Sequence, residues 1–234
     1  MRPLFGNDIT NTSNNNNNSG NGNNDDDSNN NNSRQNTIID RLTQNGATPV
    51  AHIAGKGIIR VVTRCEDAKE NSNLDLSECS LIQVPDAVYH LMRHTELKSC
   101  DLSGNVITKI PPKFAVKFNL ITELNLSNNQ MAKLPDELSD LASLESLDIS
   151  HNSFLSLPPV VFKMKKLKKL NANTNKIIEI DFDMLDVENN SLELVDLRFN
   201  PLTGICYDIL KAAKVNFKIE LSERQKEEWE DLDI

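Results

Sequence analysis

Apolar and polar positions between residues 73 and 203 follow one template, xxLxLxxNxLxxLP. It is clearest in ELNLSNNQMAKLP (123–135), CDLSGNVITKIP (Cys100–Pro111) and SLDISHNSFLSLP (Ser146–Pro158). KLNANTNKIIEI (Lys169–Ile180), LVDLRFNPL (Leu194–Leu202) and NLDLSECSLIQVP (Asn73–Pro85) fit more loosely, the last with Cys79 in place of Asn. The slot residues Cys79, Asn105, Asn129, Asn152, Asn175 and Asn200 are spaced 26, 24, 23, 23 and 25 apart. Each copy opens with period-2 alternation, which predicts a short strand, and the fixed period predicts that the copies stack. Three apolar columns then run through the core. They are Leu74, Cys100, Leu124, Leu147, Leu170, Val195; Leu76, Leu102, Leu126, Ile149, Ala172, Leu197; and Leu81, Ile107, Met131, Phe154, Ile177, Leu202.

The asparagines set among these apolar positions need partners, because a buried amide without hydrogen bonds costs a few kcal/mol. At the end of a strand, where the chain bends, an Asn side chain donates to and accepts from backbone groups of its own and neighbouring turns. Asn105, Asn129, Asn152, Asn175 and Asn200 are therefore expected to form a structural ladder. Cys79 stands in the first copy, which has a neighbour on one side only. The fifth copy has the smallest core residue, Ala172, and Asp181 where others have Pro, which predicts a locally weak repeat.

The flanks differ in character. Residues 1–36 contain 15 Asn and almost no apolar side chain after Ile9, so 1–52 is expected to be a disordered Asn-rich tail and linker. Ile58, Ile59, Val61, Val62, Cys65 and Ala68 recur at helical spacing and predict a capping helix over 57–72. Six repeats fill 73–203. A C-terminal cap over 204–221 is expected from Ile205, Ile209, Leu210 and Ala213 on a helix, then a strand in VNFKIEL (Val215–Leu221). Residues 222–234 form an acidic tail with the sole tryptophan, Trp229, and Leu232, read either as a docking motif or as a segment folding back over the last repeat.

The repeats resemble the intracellular leucine-rich repeat superfamily, of the short LP-containing kind. The resemblance covers roughly residues 57–221, in the order helical N-cap, LDLSEC, short repeats, LRFNPL and a brief cap. It implies an α/β solenoid: a curved parallel sheet of about six short strands, short helical or 3₁₀ segments on the convex side, helical caps and a disordered N-terminal tail. It also implies a protein-binding scaffold with no active site.

The formal charge of −9 makes a nucleic-acid binder an unfavoured reading, and no apolar run reaches the length of a membrane span. No secretory signal is visible in MRPLFGNDIT, and the cysteines Cys65, Cys79, Cys100 and Cys206 show no close terminal clusters. Reduced thiols and a cytoplasmic location, with the nucleus open, are the expectation.

Outward strand positions would line a concave face. The central column is Asp75, Asp101, Asn125, Asp148, Asn171, Asp196; beside it run Ser77, Ser103, Ser127, Ser150, Asn173, Arg198 and a row Glu78, Gly104, Asn128, His151, Thr174, Phe199. Asp and Ser at these places serve solubility and turn bonding in such repeats. The functional alternative is a mildly acidic groove turning basic and aromatic at Lys169, Arg198 and Phe199. The candidate contact residues are Asp75, Asp101, Asn125, Asp148, His151, Lys169, Asn171, Asp196, Arg198 and Phe199.

Asp148, Ser150 and His151 have the composition of a hydrolytic triad, but an open sheet supplies no oxyanion hole or water-excluding site. Cys79, His90, His94 and Cys100 have a zinc composition, yet the register puts the cysteines in the core and the histidines on the return segment. KMKKLKK (163–169) reads as a solvated convex face rather than a docking patch. No catalytic residue, metal or cofactor is expected. The expected function is non-enzymatic protein–protein interaction by a monomer on its concave face, with an unidentified partner protein. The alternative is a regulatory subunit of a signalling enzyme such as a phosphatase or small GTPase.

Overall fold

The computed structural model describes residues 49–184 and 191–223. The Asn-rich head before residue 49 and the end with Trp229 and Leu232 lie outside the described residues. Seven three-residue strands form one parallel sheet in chain order: β1 Asn73–Asp75, β2 Ser99–Asp101, β3 Glu123–Asn125, β4 Ser146–Asp148, β5 Lys169–Asn171, β6 Leu194–Asp196 and β7 Lys218–Glu220. The pairing register aligns Leu74, Cys100, Leu124, Leu147, Leu170, Val195 and Ile219, the first apolar column with one member added. This is the leucine-rich repeat solenoid; about six strands were expected in the sheet, and the strand expected in the cap joins them as a seventh. The cap strand becomes a seventh rung because Ile219 continues that column.

Return segments are short helices or 3₁₀ turns. They are α2 Asp86–Leu91, α3 Lys113–Lys117, then 3₁₀ turns at Asp136–Asp140, Pro159–Lys163 and Phe182–Met184, then α4 Gly204–Ala212. Pro85, Pro135 and Pro158 each precede one in extended conformation, where a fixed φ and a missing N–H cost nothing. These segments bury Val88, Phe114, Leu138 and Val161 against the strand leucines. Every member of the first two columns is buried; in the third only the end residues Leu81 and Leu202 are partly exposed. All four cysteines are free and buried. Burial pushes the Cys65 thiol up to about 11 and raises those of Cys79, Cys100 and Cys206.

The slot asparagines form a hydrogen-bonded ladder. Each amide donates to carbonyls of its own turn and to one carbonyl of the preceding repeat. Asn129 Nδ2, for example, bonds Leu126 O and Ser127 O in its own turn and Leu102 O behind it, while its Oδ1 accepts from Ile107 N–H. Asn105, Asn152, Asn175 and Asn200 repeat the pattern.

The first copy is closed differently. Helix α1, Pro49–Asn71, packs on β1 and buries Val61, Cys65 and Ala68. Its Arg60 donates to Glu78 O and its Arg64 to Ser77 O, carbonyls at the turn that follows β1. Arg64 also contacts Cys79 Sγ and Asp75 Oδ1. Two helix guanidiniums thus supply the donors where no preceding strand exists. The helix starts at Pro49, inside the stretch expected as linker, since proline suits the first helical position. Ile58 and Val62 face solvent, so the buried stripe is narrower than the helical spacing suggested. At the other end Thr203 caps α4 by accepting from Cys206 N–H, and Ile205 and Ile209 are exposed while Cys206 and Leu210 face the core.

Candidate functional site

The solvent face of the sheet begins with its central column. In six successive repeats the side-chain Oδ1 accepts from the backbone N–H two residues on: Asp75 from Ser77, Asp101 from Ser103, Asn125 from Ser127, Asp148 from Ser150, Asn171 from Asn173 and Asp196 from Arg198. Each short acid or amide therefore bends the chain out of its strand. The free end of the side chain then works laterally. Asn125 Nδ2 donates to Asp101 Oδ2 at 3.1 Å, and Asn171 Nδ2 to Asp148 Oδ2 at 2.8 Å. From Asp101 onward the column alternates Asp and Asn, which sets a donor beside an acceptor on neighbouring strands, and two of the four neighbouring pairs there are bonded. That alternation is visible in the sequence and is the signal that the bonds exist.

The basic end is charge-balanced. Arg198 donates twice to Asp196, with Nη2 2.7 Å from Oδ2, and lies 3.4 Å from Glu220 on β7. Asp196 is buried; burial alone would raise its pKa, but the Arg198 guanidinium and N–H and the Asn173 amide outweigh it and hold it below the usual range. Lys169 and His151 are exposed and have no side-chain hydrogen bond among the described residues, and Phe199 is 69% exposed. The ten candidate contact residues thus fall into two sets. Asp75, Asp101, Asn125, Asp148, Asn171, Asp196 and Arg198 form a bonded array, and Lys169, His151 and Phe199 stand free at its edges.

The third row is a line of left-handed turns. Glu78, Gly104, Asn128, His151, Thr174 and Phe199 all have φ between 51° and 65°. In the first five the N–H donates to a carbonyl of the next repeat, and in the last Phe199 N–H donates to Ser222 Oγ. Gly104 and Asn128 suit this conformation; a β-branched residue such as Thr174 does not. Thr174→Gly is expected to raise stability by about 0.5–1 kcal/mol, measured by urea unfolding. Gly104→Ala should lower it, since a Cβ there would lie 3.0 Å from Glu78 Cγ.

The other candidate constellations do not assemble. Ser150 is buried, Asp148 is engaged by Ser150 N–H and Asn171, and no hydrogen bond joins His151 to either. Cys79 and Cys100 lie in the core while His90 and His94 are exposed. Among the described residues no three His, Cys, Asp or Glu are grouped to hold a metal. In the basic segment Lys163 pairs with Asp136 and Lys168 with Glu145, leaving Lys165, Lys166 and Lys169 as solvated charges among the described residues. No helix of the described residues is long and apolar enough to cross a membrane.

Stacked strands, the Asn ladder and the repeated turn make a leucine-rich repeat fold, and the family model described as Leucine rich repeat matches residues 95–154. Among individual proteins the chain resembles leucine-rich repeat-containing protein 20. The mouse protein is 30% identical over 91 residues, 37% of this chain and 50% of its own length. The chain spans about half the length of that relative. The adenylate cyclase of Schizosaccharomyces pombe is 28% identical over 143 residues, 60% of this chain but 8% of the cyclase. A leucine-rich repeat protein of Leptospira interrogans has a solved structure that superposes with a TM-score of 0.51 at 26% identity, over 60% of this chain and 34% of its own.

Proposed function

We propose that this chain is a non-enzymatic, cytoplasmic protein-interaction module that holds a partner protein on the solvent face of its sheet. Leucine-rich repeat domains are typically interaction domains without catalysis. The observation that carries the reading is the wiring of the face. Its acids and amides are fixed by the backbone and by each other, so a partner meets a surface already ordered and little side-chain entropy is lost on binding. Seven strands at about 4.8 Å spacing give a face near 30 Å long, enough for a footprint of about 800 Å². The carboxylates of Asp75, Asp101 and Asp148 suit a partner rich in N–H donors, and Phe199 is the exposed aromatic anchor.

A regulatory-subunit role is the second reading. It is favoured by the match to a segment that makes up 8% of the adenylate cyclase of Schizosaccharomyces pombe. The test is a native pull-down with the full chain beside a Lys169→Glu, His151→Ala, Phe199→Ala variant. Among the described residues these three side chains make no hydrogen bond, so the variant should keep the wild-type circular dichroism. A partner retained by wild type and lost by the variant supports the face as the binding surface; equal retention would refute it. Assaying any recovered enzyme with and without the chain separates the two readings.

A further inference from the structure

We propose that two copies of this chain join edge to edge through β7, making one continuous sheet across a two-fold axis. This departs from the monomer expected from the sequence. β7 is the last strand of the sheet, and among the described residues nothing pairs with its outer edge. Lys218 N–H donates to Glu193 O and Glu220 O accepts from Leu197 N–H, so both residues spend their main-chain groups on the β6 side. In a parallel ladder alternate residues point to opposite neighbours, which turns the N–H and C=O of Ile219 outward. An open strand edge of this kind is a template for another strand.

The side chains around Ile219 select the second copy as that strand. The segment Phe217-Lys218-Ile219-Glu220-Leu221 reads apolar, basic, apolar, acidic, apolar. In an antiparallel pair centred on Ile219, the two Ile219 residues exchange both hydrogen bonds. Lys218 of each copy then stands opposite Glu220 of the other, and Phe217 opposite Leu221. Opposed charges and apolar pairs both stabilise a ladder. Centring the pair one residue earlier or later would oppose Lys218 to Lys218 or Glu220 to Glu220, so one register is favoured. Behind the strand the end of the solenoid has an open groove of about 350 Å³ lined by Leu210, Lys211, Val215, Phe217, Ile219 and Leu221 among others. Joining two ends would cover both grooves.

The self-complementary pattern makes a charge-swap test. The full-length chain, followed by sedimentation velocity from low to high micromolar concentration, should shift from monomer to dimer. Lys218→Glu and Glu220→Lys should each stay monomeric, because each opposes like charges in the favoured register. Mixed in equal amounts the two variants should dimerise with one another, since one offers an all-acidic edge and the other an all-basic edge. That rescue also shows that neither variant had simply failed to fold after losing the Lys218–Glu220 and Arg198–Glu220 pairs. A wild-type chain that is monomeric throughout would overturn the proposal, as would single variants that dimerise like wild type or a mixture that does not associate. Dimerisation that begins only after residues 224–234 are removed would give the edge to the chain's own end and also overturn it.

Discussion

Asn152→Ala is expected to remove about 3 kcal/mol of folding stability, seen as a lower urea midpoint at unchanged slope. Asn152 sits mid-solenoid and is buried. Its Oδ1 accepts from Met131 N–H, and its Nδ2 donates to Leu126 O, Ile149 O and Ser150 O. Alanine leaves an N–H and a carbonyl of the preceding repeat without this partner, in a place water does not reach. The same change at Asn200, whose amide is partly exposed, should cost about 1 kcal/mol, because water takes over part of the bonding. Asn152→Asp should be worse than alanine: it keeps the acceptor, loses the donor and sets a charge against carbonyl oxygens. Cys79→Asn is the informative control. A slot amide reaches back to the preceding strand turn, and behind β1 stands a helix whose Arg64 already serves Ser77 O. No gain is expected there. A loss below about 1 kcal/mol in Asn152→Ala would mean that the apolar columns hold the repeats together without the ladder.

The ladder was legible in the sequence because one constraint is restated in every repeat. Leucine columns, the Asn slot and the strand alternation recur at one period, and three-dimensional stacking keeps period and register together. Features that depend on a single pairing were not legible in this way. Arg198 reads as a free basic residue until Glu220 is known to lie on the neighbouring strand, and that neighbour exists only because the cap strand joins the sheet. VNFKIEL alternates as a strand should, yet it lacks the Asn that marks a repeat, so nothing local says that it extends the ladder. The row from Glu78 to Phe199 was legible as a row but not as a turn. Its left-handed backbone is hinted at only by Gly104 and Asn128, while Thr174 and Phe199 argue against it. Ile58 and Ile205 have core-like chemistry at the solenoid's two ends, where a helix has one neighbour and half of its apolar positions face water. Of the candidate face, Asp75, Asp101, Asn125, Asp148, Lys169, Asn171 and Asp196 lie on the strands, while His151, Arg198 and Phe199 lie in the turns that follow. Which of them are consumed by the fold required the hydrogen bonds.

Asp196→Ala should cost about 2 kcal/mol at neutral pH, and the cost should shrink in acid. The carboxylate side chain is only 9% exposed and accepts from Arg198 Nε, Nη2 and N–H and from Asn173 Nδ2. Burial opposes ionisation there, but these donors prevail and the folded-state pKa lies below the ordinary value of 3.8. A depressed folded value means that the unfolded chain takes up the proton first as pH falls. The stabilisation is therefore complete well above 3.8 and is lost as pH drops through the lower, folded value. Urea midpoints of wild type and Asp196→Ala, measured from pH 7 down to pH 2, should converge at the acid end. Parallel curves would mean that the site is held by shape and by its neutral hydrogen bonds rather than by the ion pair. The position makes the result more than a local matter. Asp196 fixes Arg198, and Arg198 also contacts Glu220 on β7, so the pair ties the last rung to the rest of the sheet. Alanine at 196 leaves Arg198 with Glu220 alone, which loosens β7 and with it the edge whose Lys218–Glu220 pattern is complementary to a second copy.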